Sequence, residues 1–391
     1  MGEVFNLLSY NVKGLNNKSK RLQIFDFCKD KIKNNGIVLL QETHSSSKEM
    51  GKWKNEWVGD VFQNHGSSNS RGVMIAFSKQ FDKKNLKYVD DNNGRIQILT
   101  FEHKHKKYMI INLYNDNIER DQVETLKRVD NLMGSFSDIN EYSIIIGGDW
   151  NFILDKDLDS YGGNPKIKLN SLAEHIKLKN KYMLCDIYRI RNQGVKRFTY
   201  RQRTPCLRRR LDRFLISNTL QSNVISCDIL SSLLSDHSPI FVVIKTCDGD
   251  FKKGKSYWKF NKALLEDPIY CEGMRRVINE KKVEYAAMDY QVRWELVKYE
   301  IRKFTMDYSK KRARDKRILL VQNENIIKNY ETKSSNEHMI SDEVYMKAKH
   351  DIELYHLEKV KGNILRSKCQ VYEEGEKSTK FFFGGWKKRK Q

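Results

Sequence analysis

Over its first 247 residues the chain repeats one pattern, a short apolar run of strand length stopped by a polar residue. FNLLSYNV (5–12), GIVLLQE (36–42), RGVMIAF (71–77), RIQILTF (95–101), KYMIINLY (107–114), YSIIIGGD (142–149), RLDRFLIS (210–217) and PIFVVI (239–244) all read as buried strands. Amphipathic or turn-rich stretches such as KSKRLQIFDFCKDKIKNNG separate them, so the region reads as an α/β domain. The texture changes once. CDGDFKKGKS, residues 247–256, forms a charged, glycine-containing joint, and beyond it residues 289–330 and 342–372 read as long charged helices. The expected division is therefore an α/β domain at 1–247 and a charged helical extension at 248–391. No internal repeat or low-complexity tract interrupts either part.

Charge narrows the partners. With 72 Lys+Arg against 50 Asp+Glu, the net charge of +22 favours a polyanion, nucleic acid ahead of an anionic membrane. The start, MGEVFNLL, has neither a signal-peptide core nor a myristoylation pattern. No apolar run approaches the roughly 18 residues of a membrane span. The seven cysteines are scattered and never spaced C-x-x-C. These features lead to the expectation of a reduced, soluble, intracellular protein, nuclear or cytoplasmic and not secreted.

The polar residues that stop the strands supply the chemistry. Asn11, Glu42, Tyr114, Asp149 and Asn151 all stand at strand ends, where α/β proteins build their sites. Each alone is more often a capped strand end. Together they form a set. Asp149 and Asn151 are two apart, so they share a side if the strand continues that far, and Gly147 and Gly148 before them would admit a ligand close to the backbone. Glu42, Asp149, Asp212 and Asp236, with two Asn, one Tyr and one His, offer oxygen ligands and a single imidazole, which suit Mg²⁺ and do not suit structural zinc. Beside a Mg²⁺ site in so basic a chain, the adjacent Asp236 and His237 of LLSDHSPIFVVI read as phosphodiester chemistry. Asp236 is expected to hold the His237 imidazole in one tautomer and favour its charged form.

Basic residues flank the same region. CLRRRLDRF, residues 206–214, sets Arg208, Arg209, Arg210 and Arg213 around Asp212, and with Thr199 these are the expected DNA contacts. KKRARDKR at 310–317 reads equally as an import or nucleic-acid patch and as a charged helix face. His44, His65, His103, His105 and His175 lack ligand spacing and read as surface or core histidines. YVDD at 88–91 continues as NNG between two strands, a hairpin turn signal.

In order, LLSYNVKGLN, LLQETH, INLYN, GGDWNFIL, RLDRFLIS and SDHSPI resemble the endonuclease/exonuclease/phosphatase superfamily, which includes DNase I and the abasic-site endonucleases, over residues 4–244. The resemblance implies a four-layered, DNase I-like α/β sandwich. It places Asn11 and Glu42 at a metal, with Asp236 counted in the same set, puts Tyr114 and Asn151 on phosphate and Asp149 on the attacking water, and has Asp212 and Asp236 support His237. Within the superfamily, SYNVKGLNNKSKR, LLQETH, SRGVMIAF and GGDWNFILD look most like the endonuclease of LINE-type non-LTR retrotransposons. Trp150 stands where Phe is usual. YWKFNKALLED at 257–267 and GEKSTKFFF at 375–383 resemble the segment that joins such an endonuclease to a reverse transcriptase, yet the chain stops at Gln391 with no polymerase following, as in a truncated copy or at a boundary. The activity that the resemblance implies is that of a Mg²⁺-dependent DNA endonuclease, with Mn²⁺ as a substitute, that leaves a 3′-hydroxyl for priming reverse transcription. DNA is the expected partner, and RNA a second one for the basic extension. An abasic-site repair enzyme and an inactive nucleic-acid-binding fragment stay open as alternatives, with an inositol phosphatase behind them.

Overall fold

A computed structural model describes residues 3–67, 69–202, 204–247, 260–332 and 340–374. Most of the joint at 247–256, the first residues of YWKFNKALLED and all of GEKSTKFFF lie outside the described residues.

Two six-stranded sheets dominate. The first runs Val224–Ile229, Ile240–Cys247, Glu3–Asn11, Gly36–Gln41, Val73–Phe77, Val61–Asn64, and the second runs Leu184–Asp186, Asp212–Ser217, Ser143–Asp149, Lys106–Tyr114, Ile96–His103, Lys84–Asp90. Both follow one plan. Glu3–Asn11 lies parallel to Gly36–Gln41, and Lys106–Tyr114 lies parallel to Ser143–Asp149, while the neighbours on either side are antiparallel. A parallel pair needs a crossover, and the helices Lys18–Ile32 and Glu119–Gly134 supply it. Parallel neighbours therefore start and stop at the same level, so their C-terminal residues fall at one rim.

The sheets pack face to face through Leu7, Leu39, Ile75, Phe101, Ile110, Ile145, Phe214 and Val242. Behind the second sheet, Leu126, Val129 and Met133 of one helix and Leu178 of Leu169–Lys181 close a further core on Met109, Ile111 and Ile146. Phe25, from the helix Lys18–Ile32, meets Trp53 and Trp57 edge-on, and all three are buried. Helix, sheet, sheet and helix make four layers. With both faces covered, the central strands carry unbroken apolar runs, not alternating ones. The Tyr-Val-Asp-Asp stretch ends the strand Lys84–Asp90, and the Asp91 carboxylate accepts from the backbone N–H groups of Asn93, Arg95 and Ile96 to turn the chain into Ile96–His103.

Beyond residue 260 the described elements are helical: Pro268–Glu284, Tyr290–Thr332 and Asp342–Glu374. None is long and apolar enough to cross a membrane among the described residues. Two compact units emerge, Met1–Phe251 with Ile327–Val360, and Lys252–Ile326 with Lys361–Gln391. The described residues of 327–360 thus group with the sheets. The His356 ring meets Phe27 edge-on at 5.6 Å, Lys359 Nζ lies 3.3 Å from Asp26 Oδ2, and the Glu331 carboxylate is buried on Arg201 at 2.6 Å. In the second unit, Tyr270 is buried beside Phe304 and Tyr308 and shares a 2.7 Å hydroxyl bond with Thr305.

Candidate active site

The site lies where central strands of both sheets end. Asn11, Tyr114 and Asp149 are the last residues of their strands, Asp212 is the first of its own, and Glu42 follows Gly36–Gln41. Sheet register alone sets Asp149 opposite Asp212 on one side and Tyr114 on the other. Face-to-face packing then brings Asn11 and Glu42 across. The Asn11 amide donates to Glu42 Oε1 at 3.0 Å and to Asp149 Oδ2 at 2.9 Å, and the Tyr114 hydroxyl donates to Glu42 Oε1 at 2.8 Å. One hydrogen-bonded chain therefore bridges the sheets.

His237 completes it. Its Nδ1 sits 2.8 Å from Asp212 Oδ2, and its Nε2 points towards Asp149 Oδ2 at 3.9 Å. Burial disfavours the imidazolium, but the charges of Asp212 and Asp149 and the Asp212 hydrogen bond outweigh it and push His237 up to about 10. Burial, then the neighbouring Asp212 carboxylate, raise Asp149 to about 7. Burial, Glu42 and Asp149 likewise hold the Tyr114 phenol neutral.

Asp236 does not hold His237, contrary to expectation. Its carboxylate receives the Lys13 ammonium at 2.6 Å, and its carbonyl accepts the Arg201 N–H at 3.1 Å. Adjacent residues leave the backbone in different directions, so Asp212, 25 residues away in sequence, takes the imidazole. The glycine reading also changes. A Cβ at Gly147 would lie 2.2 Å from the Phe214 ring and one at Gly148 1.9 Å from the Leu113 carbonyl, so both serve strand packing and not ligand approach. Nor do Asp149 and Asn151 share a strand face. The strand stops at Asp149, Asn151 adopts a left-handed φ of 57°, and its backbone N–H donates to Asp149 Oδ1 at 3.0 Å. The Asn151 amide donates to the Asn115 carbonyl at 2.8 Å.

The expected DNA contacts divide by burial. Arg210 is 1% exposed, with Nε 2.7 Å from Asp159 Oδ1 and Nη2 2.8 Å from Asp186 Oδ2, while Arg213 is fully buried over Trp150 and Phe152. Neither shows a guanidinium face to a phosphate. Thr199 is fully buried too, and its hydroxyl accepts from the backbone N–H groups of Leu211 at 2.9 Å and Asp212 at 3.0 Å. Arg208 stacks over Tyr161, and Arg209 donates to the carbonyls of Tyr161 and Gly162 at a partly exposed position. Lys13, Arg201 and the Asp159 pairing escaped the sequence reading. For Lys13 the signal was its place two residues after Asn11 in the SYNVKG run. Asp159 lies 51 residues from Arg210, and no local pattern joins them.

The Asp149, Asp212 and His237 ligand atoms all lie within 4.8 Å of one another. Glu42 and the Asn11 amide oxygen, beside them, are hard oxygen donors of the kind a divalent cation takes. The residues fit such an ion.

The sequence profile of the Endonuclease/Exonuclease/phosphatase family matches residues 5–237, more than half of the chain. The chain belongs to that family. This family member is 25% identical, over 97% of its own length, to the Transposon TX1 uncharacterized 149 kDa protein of Xenopus laevis, of which it spans 29%. Among solved structures it is similar to the AP endonuclease LMAP of Leishmania major, with TM-score 0.50, 18% identity, and coverage of 62% of this chain and 88% of that one. An AP endonuclease of Archaeoglobus fulgidus gives TM-score 0.50 and 17% identity, with coverage of 62% and 100%. These two likenesses bear on the fold.

Proposed function

We propose that the chain is a Mg²⁺-dependent DNA endonuclease that hydrolyses one phosphodiester and leaves a 3′-hydroxyl fit to prime reverse transcription. The observation that carries this reading is the hydrogen-bonded chain Tyr114–Glu42–Asn11–Asp149 set against the His237–Asp212 pair. A base is most useful when its pKa lies near the working pH, and Asp149, raised to about 7, suits removal of a proton from the attacking water. His237, charged and held by Asp212, would donate to a non-bridging phosphate oxygen as negative charge develops there. Tyr114 stands at its strand end with its hydroxyl on Glu42, and Asn151 follows Asp149 by two residues with its backbone N–H on that carboxylate, so both would orient the phosphate. Glu42 and Asn11 would hold the cation, which when bound neutralises phosphate and leaving-group charge, while the carboxylate of Asp236, the third expected ligand, is on Lys13.

The likeness to the transposon protein extends over 97% of this chain, helical part included, whereas the AP endonuclease likenesses cover 62%. That difference favours intact duplex over abasic sites as substrate. The net charge of +22 supports DNA, with RNA as a second ligand of the basic helical residues. The test is nicking of supercoiled plasmid by the full chain in Mg²⁺, with EDTA abolishing it and Mn²⁺ substituting. Asp149→Ala should lose ~10²-fold or more. Undiminished nicking by that variant overturns the assignment, and a preference for an abasic site on the order of 10³-fold, about 4 kcal/mol of transition-state binding, would move the protein to repair.

A further inference from the structure

We propose that Glu331, in the helix Tyr290–Thr332 and far beyond the family-matched residues, is a positioning residue of the nuclease site that acts through Arg201 on the Asp236–His237 loop. The inference rests on the nuclease reading above. Arg201 lies in the short strand Tyr200–Gln202, and it grips the loop twice. Its backbone N–H donates to the Asp236 carbonyl at 3.1 Å, and its Nη1 donates to the Ser238 hydroxyl at 2.9 Å. The neighbours reinforce this grip. Tyr200 forms an isolated β-bridge with His237, its ring 5.1 Å from the imidazole, and the Ser238 N–H donates to the Thr199 carbonyl at 2.6 Å. The loop that carries Asp236 and His237 is therefore laid along residues 199–201, and the Arg201 guanidinium ties the two together.

That guanidinium is largely withdrawn from water, its side chain 14% exposed, and a cation so placed needs a counter-charge. Glu331 supplies it, with Oε1 2.6 Å from Arg201 Nη1 and the residue only 1% exposed. Other contacts fix the Glu331 segment independently of Arg201. Tyr330 stacks on Tyr345 at 4.1 Å, the Arg208 guanidinium lies over the Tyr330 ring at 6.0 Å, and Lys349 Nζ donates to the Ser232 hydroxyl at 3.0 Å. Farther along, Lys359 pairs with Asp26 and Asp30 of the helix Lys18–Ile32. A segment serving only as a spacer would meet the sheets through exposed charges, whose pairs contribute little. This one buries a carboxylate one residue from the catalytic loop. Without the carboxylate, the guanidinium keeps only the neutral acceptors Ser238 Oγ and the Phe198 carbonyl, its charge is uncompensated, and the loop loses its fixed position.

The test uses the full chain and plasmid nicking in Mg²⁺. Glu331→Gln, nearly isosteric and neutral, should lower kcat on the order of 10- to 100-fold, as misplacement by an outer support does, with KM changed less than about twofold. Glu331→Asp should recover part of the loss. Lys359→Met loosens the same segment without touching Arg201 and should keep the wild-type kcat. Wild-type kcat in Glu331→Gln, or an equal loss in Lys359→Met, overturns the proposal. Should the wild-type chain fail to nick, the nuclease reading falls, and the low-field imidazole proton of His237 decides the coupling by itself. That resonance, assigned by its loss in His237→Gln, should shift in Glu331→Gln, and an unmoved resonance overturns the proposal.

Discussion

Asp212 Oδ2 lies 2.8 Å from Nδ1 of His237, whereas the carboxylate of Asp236, its neighbour in sequence, lies 2.6 Å from the ammonium of Lys13. The two acids beside one histidine thus do different work. Asp212 orients the ring and favours the imidazolium, and Asp236 is held by the Lys13 ammonium.

That division has a pH signature. Burial lowers the imidazole's affinity for a proton, and Asp212 and Asp149 overcome it to place His237 at about 10. Removing the Asp212 charge takes away the larger opposing contribution, so the folded pKa falls and the imidazolium is lost at lower pH. Asp212→Asn should therefore move the alkaline limb of the pH–rate profile to lower pH, and Asp236→Asn should move it less. A larger displacement in Asp236→Asn would return the orienting role to Asp236.

Thr199 should behave as a structural support of Asp212. Thr199→Ala leaves the N–H groups of Leu211 and Asp212 without their acceptor, a cost of about 1–3 kcal/mol for each buried group left unpaired. Thermal melting should register the loss, Thr199→Ser should restore it, and kcat should fall with Ala. A weakened DNA affinity at unchanged stability would show that the hydroxyl faces DNA after all.

Arg210 should prove a stability residue. Truncation in Arg210→Met takes the cation from Asp186 and leaves Asp159 to Arg189, and breaking a buried pair from one side costs about 3–5 kcal/mol. Urea denaturation measures it. The salt dependence of DNA binding should keep its wild-type slope in any folded fraction, because the guanidinium is not on the surface. A shallower slope with unaltered stability would be the contrary result.

Acid should weaken the fold chiefly below pH 4. His175 is buried against Trp150 and Phe152, and burial and then Arg213 push it down to about 3. Its unfolded value is about 6.5, so between pH 6.5 and 3 the unfolded chain binds the extra proton at this ring, and the contribution of His175 falls as pH falls, by at most about 1.4 kcal/mol per pH unit, while Asp149, raised to about 7, contributes with the opposite sign down to about pH 4 because there the folded chain holds the proton. Burial would raise Asp159 and Asp186, but Arg210 prevails and holds both below the usual carboxylate range. Their stabilisation is complete above the unfolded carboxylate value of about 4 and is lost as pH falls below it. Melting temperatures from pH 7 to 3 trace both effects. Relative to wild type, His175→Gln should gain stability as pH falls from 6.5 to 4 and keep the decline below 4, and a profile above pH 4 parallel to that of wild type would remove His175 from the account.

The sequence alone determined the strand ends. Asn11, Glu42, Tyr114 and Asp149 are legible because a buried strand must be apolar along its length and becomes polar only where it leaves the core. The oxygen-rich inventory of ligands follows from the residue types themselves. The helical texture after residue 260 is equally local, since it rests on composition and spacing within each stretch. Pairing across the fold is not local. Which acid meets His237, whether an arginine in CLRRRLDRF faces water or Asp159, and that Glu331 returns to Arg201 from 130 residues away were decided by tertiary structure. A run of charges has the same appearance in sequence whether its partners are phosphates or buried carboxylates. Only tertiary packing assigns each charge its partner, because the energy of a charge depends on the dielectric and the counter-ion around it and not on its neighbours in the chain.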